Sequence, residues 1–444
     1  MKVSLLAVKE FLDFHGFKIY SPESDTRIII RVEGKYVTVK QKDDLIRFLY
    51  KTVENYEFDD PDEEGIVFEK LTNLKSKIKS NIENWLQVIK LNFISDTEDT
   101  AYKFFTNGIV AITEDSIELK NYDSVKGHVW YDSVLTFEIN VDDPESSMNS
   151  GDAYSFLFDI SKSNEDHDAL MSLIGYLVHT YKSPTNSKAV VIYDSNVSMR
   201  NPSGGTGKSL LCRMVGEAVK SKFKNGKRMD LNNRFVLSDI TIDDNLIILD
   251  DIPENFQTNR LFPDITGDMV IERKYENSIT IPAKDSPKIL INSNYPLLDN
   301  GYSYERRKHE FVITSIYGKD LTPEDQYGKK LIDDWDDDEW NSFYNLIFLC
   351  LQKYLSEKLL PQSRSLQDFL LENSFDEVTL EIAKSLEKNK DYDKTELYKQ
   401  YKEKTDGYKV KQPTFTANLK EYASLMNYSV NERHSGDKNY IAFY

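Results

Sequence analysis

The sequence predicts an α/β protein built on a parallel sheet, and three observations predict it. The first is the Gly-rich turn Asn201-Pro-Ser-Gly-Gly-Thr-Gly-Lys-Ser209, after which Leu211, Met214, Val215, Ala218 and Val219 recur at helical spacing. The second is a set of short apolar runs, Ala189-Val-Val-Ile-Tyr193, Asn245-Leu-Ile-Ile-Leu-Asp-Asp251 and Pro287-Lys-Ile-Leu-Ile-Asn-Ser-Asn294. Their length and branched side chains suit strands buried on both faces, as parallel strands are. The third is where two of these runs end: Asp250 with Asp251, and Asn294, at the carboxyl ends where open α/β sheets place ligands.

A glycine turn closed by Gly-Lys-Ser suits the phosphates of a nucleotide. Small residues let backbone N–H groups converge on phosphate, a lysine reaches the β- and γ-phosphates, and a serine hydroxyl ligates Mg²⁺. The expected nucleotide contacts are Gly204, Gly205, Thr206, Gly207, Lys208, Ser209 and Leu210, with ATP and Mg²⁺ as the expected ligands. Asp250 would join Ser209 on the metal, and Asp251 would orient the attacking water. The pattern has departures. Pro202 stands where G-x-x-x-x-G-K-[ST] has its first glycine, and about ten residues separate the loop from the preceding apolar run. Taken alone, the loop also fits a glycine turn before a surface helix, and the two carboxylates also fit a solvated strand exit.

The stretch Thr266-Gly-Asp-Met-Val-Ile-Glu-Arg-Lys-Tyr-Glu-Asn-Ser-Ile-Thr-Ile281, followed by Pro287 to Asn294, resembles the segment that distinguishes superfamily 3 helicases. These are the AAA+ motors of papillomaviruses, parvoviruses, poxviruses and many phages and plasmids. In that family a Gly-Asp turn, a strand, a Lys beside a ring residue, and a closing Thr-Ser-Asn or Thr-Asn occur in this order. The resemblance spans about residues 186–315. It implies a P-loop NTPase (AAA+) core and ATP-driven DNA unwinding by a homo-oligomeric, hexameric ring. Lys208 and Ser209 fall on the phosphate loop, Asp250 and Asp251 on the metal and catalytic carboxylates, and Asn294 on the sensor amide. Lys274 falls on the channel hairpin that grips single-stranded or forked DNA, with Tyr275 where relatives often have His. Asn292 stands at a position that is often Thr and receives no role.

The residues around Lys274 support a hairpin independently, since Met269 to Ile281 reads as two short strands with a charged tip carrying Arg273, Lys274 and Tyr275. A cation beside a ring suits backbone phosphate and a stacked base. The plainer alternative is a solvated tip. At Ser303-Tyr-Glu-Arg-Arg-Lys-His-Glu-Phe311 a second cation pair precedes an apolar strand, as in the family's Arg-finger region, and Arg307 fits better than Arg306. Arginine's planar fork suits charge on a transferring phosphoryl group. A surface salt bridge is the alternative for either residue.

The remaining chain reads as an accessory frame. A length of 444 residues allows two to four domains. A net charge of −18 argues against a uniformly basic surface that coats duplex DNA. Residues 388–444 depart from that balance, holding 11 Lys or Arg against 8 Asp or Glu. The run Asp333-Asp-Trp-Asp-Asp-Asp-Glu-Trp340 suits a solvated face. Cys212 and Cys350 sit in apolar segments, which excludes a zinc cage or a disulfide framework and suits a reducing cytosol. No apolar run approaches the ~18 residues of a membrane span and no signal-peptide pattern opens the chain, so the expectation is a cytoplasmic protein without membrane contact.

In chain order, residues 1–97 suggest an N-terminal α/β accessory region, with helices over 5–15, 42–56 and 68–91 and a hairpin over 27–39 turning at Gly34. Residues 98–160 are strand-rich, with runs at 108–113 and 134–139. The stretch 161–185 holds an amphipathic helix, Asp166 to Tyr181, placed where similar helicases have a collar and equally suited to a core. The ATPase core covers 186–320, a helical region 321–388, and a winged-helix-like domain 389–444. There two helices and a hairpin would place Thr416, Asn418, Lys420 and Arg433 for DNA or, equally, a protein. No His-x-His pair suits a nicking site, so priming would come from a separate primase or initiator. Two further readings share these residues: an AAA+ assembly or switch ATPase, a loader or a defence protein, that does not unwind DNA, and a non-enzymatic adaptor whose loop is degenerate at Pro202.

Overall fold

The computed structural model describes residues 3–22, 26–161, 163–183, 185, 187–197, 205–254, 256–274, 277–297, 305–314, 316–405 and 410–444. Ser4 caps the first helix, α1 (Leu5–Phe14), by accepting the Ala7 N–H. Gly16 then turns the chain at φ 83, where a Cβ would stand 2.2 Å from the Val32 carbonyl oxygen. Strand β1 (Phe17–Tyr20) follows, then β2 (Ile28–Glu33) and β3 (Tyr36–Val39), which pair as the hairpin the sequence predicts. After α2 (Lys42–Glu54) the apolar pattern predicts a helix from Phe68, yet α3 (Pro61–Trp85) begins earlier. Asp60 caps it and a proline occupies its first turn, where no N–H is needed. The chain leaves α3 into β4 (Val88–Ile89), so the helix predicted to Leu91 ends short.

A second sheet comprises β5 (Ala101–Phe105), β6 (Gly108–Ile112), β7 (Ile117–Lys120) and, beyond β8 (Val129–Trp130), β9 (Val134–Leu135). Its order is β7-β6-β5-β9, while β8 completes the N-terminal sheet β4-β1-β2-β3-β8. The strand predicted over 134–139 is therefore two residues long. Helices α4 (Pro144–Ser150), α5 (Asp152–Asp159) and α6 (Asn164–Val178) lead to the core. Helix α6 is buried along nearly its whole length, so in this chain it is a core helix.

The core alternates strand and helix: β10 (Ala189–Asp194), α7 (Lys208–Glu217), β11 (Ser221–Asn225), β12 (Leu246–Ile252), α8 (Phe262–Thr266), the hairpin β13 (Met269–Ile271) and β14 (Ile279–Ile281), then β15 (Lys288–Ser293) and β16 (Lys308–Ile313). Five of these strands make a parallel sheet in the order β11-β12-β15-β10-β16. Strand residues alternate between its faces. Val190, Ile192, Leu246, Ile248 and Leu290 join one core with α6 and α7, while Val191, Tyr193, Ile247, Leu249, Ile289 and Ile291 join another. That second core also holds Ile28, Ile30 and Val37 of the N-terminal sheet and Met269, Ile271 and Ile281 of the hairpin, so both are packed directly onto the parallel sheet.

Beyond α9 (Pro323–Tyr327), the acidic run does more than face solvent. Asp336 caps α10 (Asp337–Glu357) by accepting the Glu339 N–H, and Asp337, Asp338 and Glu339 fill its first turn, where the helix dipole favours negative charge. Trp335 is buried beside it. Helix α10 lies so close to α6 that a Cβ on Gly175 would meet the Cys350 carbonyl oxygen at 2.0 Å. The chain ends with α11 (Leu366–Ser374), α12 (Glu377–Ser385), β17 (Tyr392–Asp393), α13 (Lys394–Lys404), α14 (Gln412–Leu425) and the hairpin β18 (Val430–Ser435) and β19 (Lys438–Phe443). Ile382, Tyr401, Phe415, Leu419 and Phe443 share one small core, which ties α12 to the two helices and hairpin.

The carboxyl end of α6 is held by buried cations. Lys288 Nζ donates to the Tyr176 carbonyl at 2.6 Å and Lys103 Nζ to that of Val178 at 2.7 Å, where the helix dipole favours positive charge. Burial pushes Lys288 down to about 7 and Lys103 to about 8. His179, next along, donates Nε2–H to the Thr97 carbonyl at 2.9 Å, and burial pushes its pKa down to about 4. The folded protein therefore keeps His179 neutral while the unfolded chain takes up a proton near its ordinary pKa of about 6.5. Stability from this group is complete above that pH and is lost as pH falls toward about 4, with roughly 2–3 kcal/mol gone by about pH 4.5. Denaturant unfolding at pH 7 and pH 4.5 should show a correspondingly smaller acid loss in His179→Gln, whose amide keeps a donor for Thr97. Equal acid losses in the two proteins would contradict this assignment.

Candidate active site

The carboxyl edge of the parallel sheet gathers groups from three strands, one helix and the turn that follows β11. Gly207, at φ 94, immediately precedes α7, where a Cβ would crowd Phe156 at 3.1 Å; this places Lys208 and Ser209 in the helix's first turn. Parallel register pairs Leu249 with Ile291, so the next pair, Asp250 and Asn292, lie side by side. Both have the same alternation as Leu290 and Ile248, which face α7. Asn292 Nδ2 accordingly donates to Asp250 Oδ1 at 2.5 Å and to Ser209 Oγ at 3.2 Å, and Ser209 Oγ donates to Asp250 Oδ1 at 3.1 Å.

Asp251 leaves this pattern. Its φ of 56 is in the left-handed region, a conformation that costs a non-glycine residue about 1–3 kcal/mol, and the β12–β15 register shifts around it. The break turns its carboxylate to a different set of partners. Asn294 Nδ2 donates to Oδ1 at 3.3 Å, and Lys227 Nζ donates to Oδ2 at 2.5 Å. Lys227 arrives because Gly226 approaches β12 so closely that a Cβ would stand 2.7 Å from Ile252 Cα. Nothing in the polar run around Lys227 signals this contact in the sequence.

Lys208 is buried, at 5% exposure, and pairs with Asp194 Oδ2, at the end of β10, across 3.2 Å. Two polar atoms here are buried without a hydrogen-bond partner, Thr206 Oγ1 and Asn294 Oδ1. Orphaned buried polar atoms cost free energy unless a ligand or water satisfies them, and both fit a phosphate and its attacking water. Among the described residues no three His, Cys, Asp or Glu side chains form a metal cage. Mg²⁺ needs none, since it takes one or two carboxylates together with phosphates and water. Ser209 Oγ and Asp250 supply hard oxygens of that kind. Gly205, at φ 90, and Leu210 flank the site, while Gly204 and Pro202 lie outside the described residues.

Arg307 is elsewhere. Its carbonyl accepts the Ala189 N–H at 2.8 Å, and its guanidinium lies 5.6 Å over the Phe262 ring, at the amino edge of the sheet. Strands of six residues, at ~3.3 Å each, separate it from Asp194 by more than a side chain spans.

The hairpin β13–β14 carries Lys274, which is exposed, with its ammonium 5.7 Å over the Phe235 ring. Arg234 also lies over that ring, at 4.8 Å, and pairs with Glu272 at 3.2 Å. Lys274, Arg234, Phe235 and Asn277 line one groove. Arg273 instead donates to the Ser238 and Ile240 carbonyls at 3.2 and 3.1 Å, which ties the hairpin to the loop bearing Phe235. Tyr275 lies outside the described residues. Sequence spacing does not reveal Arg234 and Phe235, because only the fold brings 234–235 to 274.

In the C-terminal unit Asn418 is buried, Lys420 pairs with Glu432 at 2.6 Å, and Arg433 pairs with Asp391 at 2.6 Å. A separate cavity of about 460 Å³, lined by Tyr20, Asp96, Lys103, Trp130 and Asp243, shares no residue with the cluster at the carboxyl edge.

Comparison with known proteins adds likenesses of limited reach. Residues 199–307 match a family of unknown function, DUF5906, which covers less than half of the chain. No curated protein matches. Among solved structures, the A-form apo structure of the NrS-1 C-terminal region is similar at 12% identity and a TM-score of 0.42, covering 98% of this chain and 99% of that one. The JCV helicase bound to a thiazolopyridine compound is similar at 15% identity and a TM-score of 0.27, covering 64% of this chain and 67% of that one. Neither likeness carries a residue's role across. No described helix is long and apolar enough to cross a membrane.

Proposed function

We propose that this chain is an ATP-driven, ring-forming DNA helicase of superfamily 3 serving the replication of a phage, plasmid or mobile element in a host cytosol. The observation that carries the reading is the meeting of Ser209, Asp250 and Asn292 beside Lys208 at the carboxyl edge of a parallel sheet. That edge is where such sheets bind ligands, and these groups have the chemistry of a magnesium–triphosphate site.

Loop N–H groups from Gly205 to Ser209 and the Thr206 hydroxyl would bind the phosphates, with Lys208 between the β- and γ-groups. Bound on Ser209 Oγ and Asp250, Mg²⁺ would supply charge that offsets the phosphates' own. Asn292 holds both of those ligands in place. Asp251, fixed on one side by Lys227 and on the other by Asn294, would orient the attacking water, with Asn294 Oδ1 as a second acceptor. Because Arg307 sits at the far edge of its own sheet, its role is assigned to the neighbouring subunit's site, which makes the active form a ring, hexameric by resemblance. Lys274, with Arg234 and Phe235, offers the cations and ring surface that a single strand needs, and Arg273 and Tyr275 are assigned to the same DNA contact by resemblance. Priming is left to a separate primase or initiator.

Turnover should therefore separate from binding. Lys208→Ala should weaken nucleotide binding and hydrolysis together, whereas Asp251→Asn should keep binding and lose hydrolysis by at least about 10²-fold, as groups acting on the transition state do. Phosphate release and equilibrium binding, measured on the same preparations, check both halves. Retained turnover in Asp251→Asn would remove the water-orienting role.

A motor is distinguished from an assembly or switch ATPase, such as a loader or defence protein, by Lys274. Lys274→Ala should leave basal hydrolysis nearly intact while abolishing strand separation on forked DNA. Single-strand affinity should become less dependent on salt, its log–log slope falling by about 0.7 for each phosphate that the variant no longer neutralises. Unwinding at the wild-type rate by this variant would favour the switch ATPase.

A further inference from the structure

The carboxylate of Asp194 engages both ends of the segment that becomes the phosphate loop. Its Oδ1 accepts the Asn196 N–H at 2.8 Å and its backbone carbonyl accepts the Val197 N–H at 2.8 Å, fixing the exit from β10. Its Oδ2 accepts Lys208 Nζ at 3.2 Å, fixing the start of α7. The side chains are buried, at 1% exposure for Asp194 and 5% for Lys208. Asp194 continues the alternation of Val190 and Ile192, whose side chains face α7, so the ordinary strand period aims it at the helix's first turn. The loop is long and has Pro202 in place of its first glycine, and this one residue joins its two ends.

From this geometry we infer that Asp194 sets nucleotide affinity by holding the phosphate-binding lysine in the nucleotide-free protein. The inference rests on the reading of this edge as an ATP site. An arriving triphosphate has to draw Lys208 from a carboxylate that is itself buried and negatively charged. In a low-dielectric setting the attraction between Lys208 and Asp194, and the repulsion between Asp194 and phosphate, are both larger than at a surface. Asp194 therefore weakens binding, in contrast to Asp250, whose charge Mg²⁺ would offset when bound. A carboxylate that only aimed Lys208 at phosphate would have the opposite effect, and its removal would loosen the nucleotide.

Asp194→Asn and Asp194→Ser both keep an oxygen to accept the Asn196 N–H, so the turn survives while the charge is removed. Equilibrium binding of a fluorescent ATP analogue with Mg²⁺ to the full chain should tighten roughly tenfold in both variants, equivalent to ~1.4 kcal/mol. The gain should vanish in a Lys208→Ala background, a coupling that a purely structural role would not produce. Melting of each nucleotide-free protein checks that the fold is retained. Unchanged or weaker binding in both variants, with the wild type binding normally, overturns the role of Asp194 alone. No binding by the wild type would instead remove the ATP site on which it rests.

Discussion

Because β10, β12, β15 and β16 run parallel, their carboxyl ends share one edge and their amino ends the other, and the arrangement of chemistry in this molecule follows from that pairing. The period of two along each strand then selects which residues face α7. Asp194, Asp250 and Asn292 meet Lys208 and Ser209 because each keeps the alternation of the apolar residues before it. Arg307, which precedes β16, is carried by the same pairing to the far edge. A sheet with one antiparallel member among these would scatter the cluster.

Asp251 shows what happens where the alternation is broken. Its left-handed backbone and the register shift in β12 move its carboxylate out of the α7-facing row and into the reach of Asn294 and Lys227. Two adjacent carboxylates thereby acquire different surroundings, one beside a serine and an amide, the other beside an ammonium and an amide. Neighbouring groups with unlike partners can divide metal binding and water orientation between them. The opposite face of the sheet has a different task, since it buries Ile28, Ile30 and Val37 of the N-terminal sheet together with the β13–β14 hairpin. The element that bears Lys274 is thus packed against the same sheet whose carboxyl edge gathers Asp194, Asp250 and Asn292.

The strands of the core were legible because an apolar run of parallel-strand length has few other uses, and the meeting of Ser209 with Asp250 because a Gly-Lys-Ser turn before a helix and a strand-end carboxylate leave local patterns. Residues whose contacts depend on the fold were not legible. Lys227 lies in a polar run with no pattern, and Arg234 and Phe235 reach Lys274 only through the packing of the hairpin. Asn292 could have been found by alternation, since it follows Leu290 by two and so shares its face, whereas Asn294, past the strand's end, was found by its position there and reaches Asp251. The start of α3 was carried by its Asp60 cap and proline, and the acidic run by its place at the head of α10; an apolar-pattern reading weighs neither.

Hydrolysis, on this account, needs the carboxyl edge of one subunit and the amino edge of another. Mixing tests it most directly. Arg307→Ala and Asp251→Asn proteins, each inactive alone, would be combined over a range of ratios with mixed rings verified by mass, and ATP turnover measured against single-stranded DNA. Some mixed interfaces would pair an intact Arg307 with an intact Asp251, and the account predicts that activity returns at intermediate ratios. No recovery at any ratio, with mixed rings present, would contradict it.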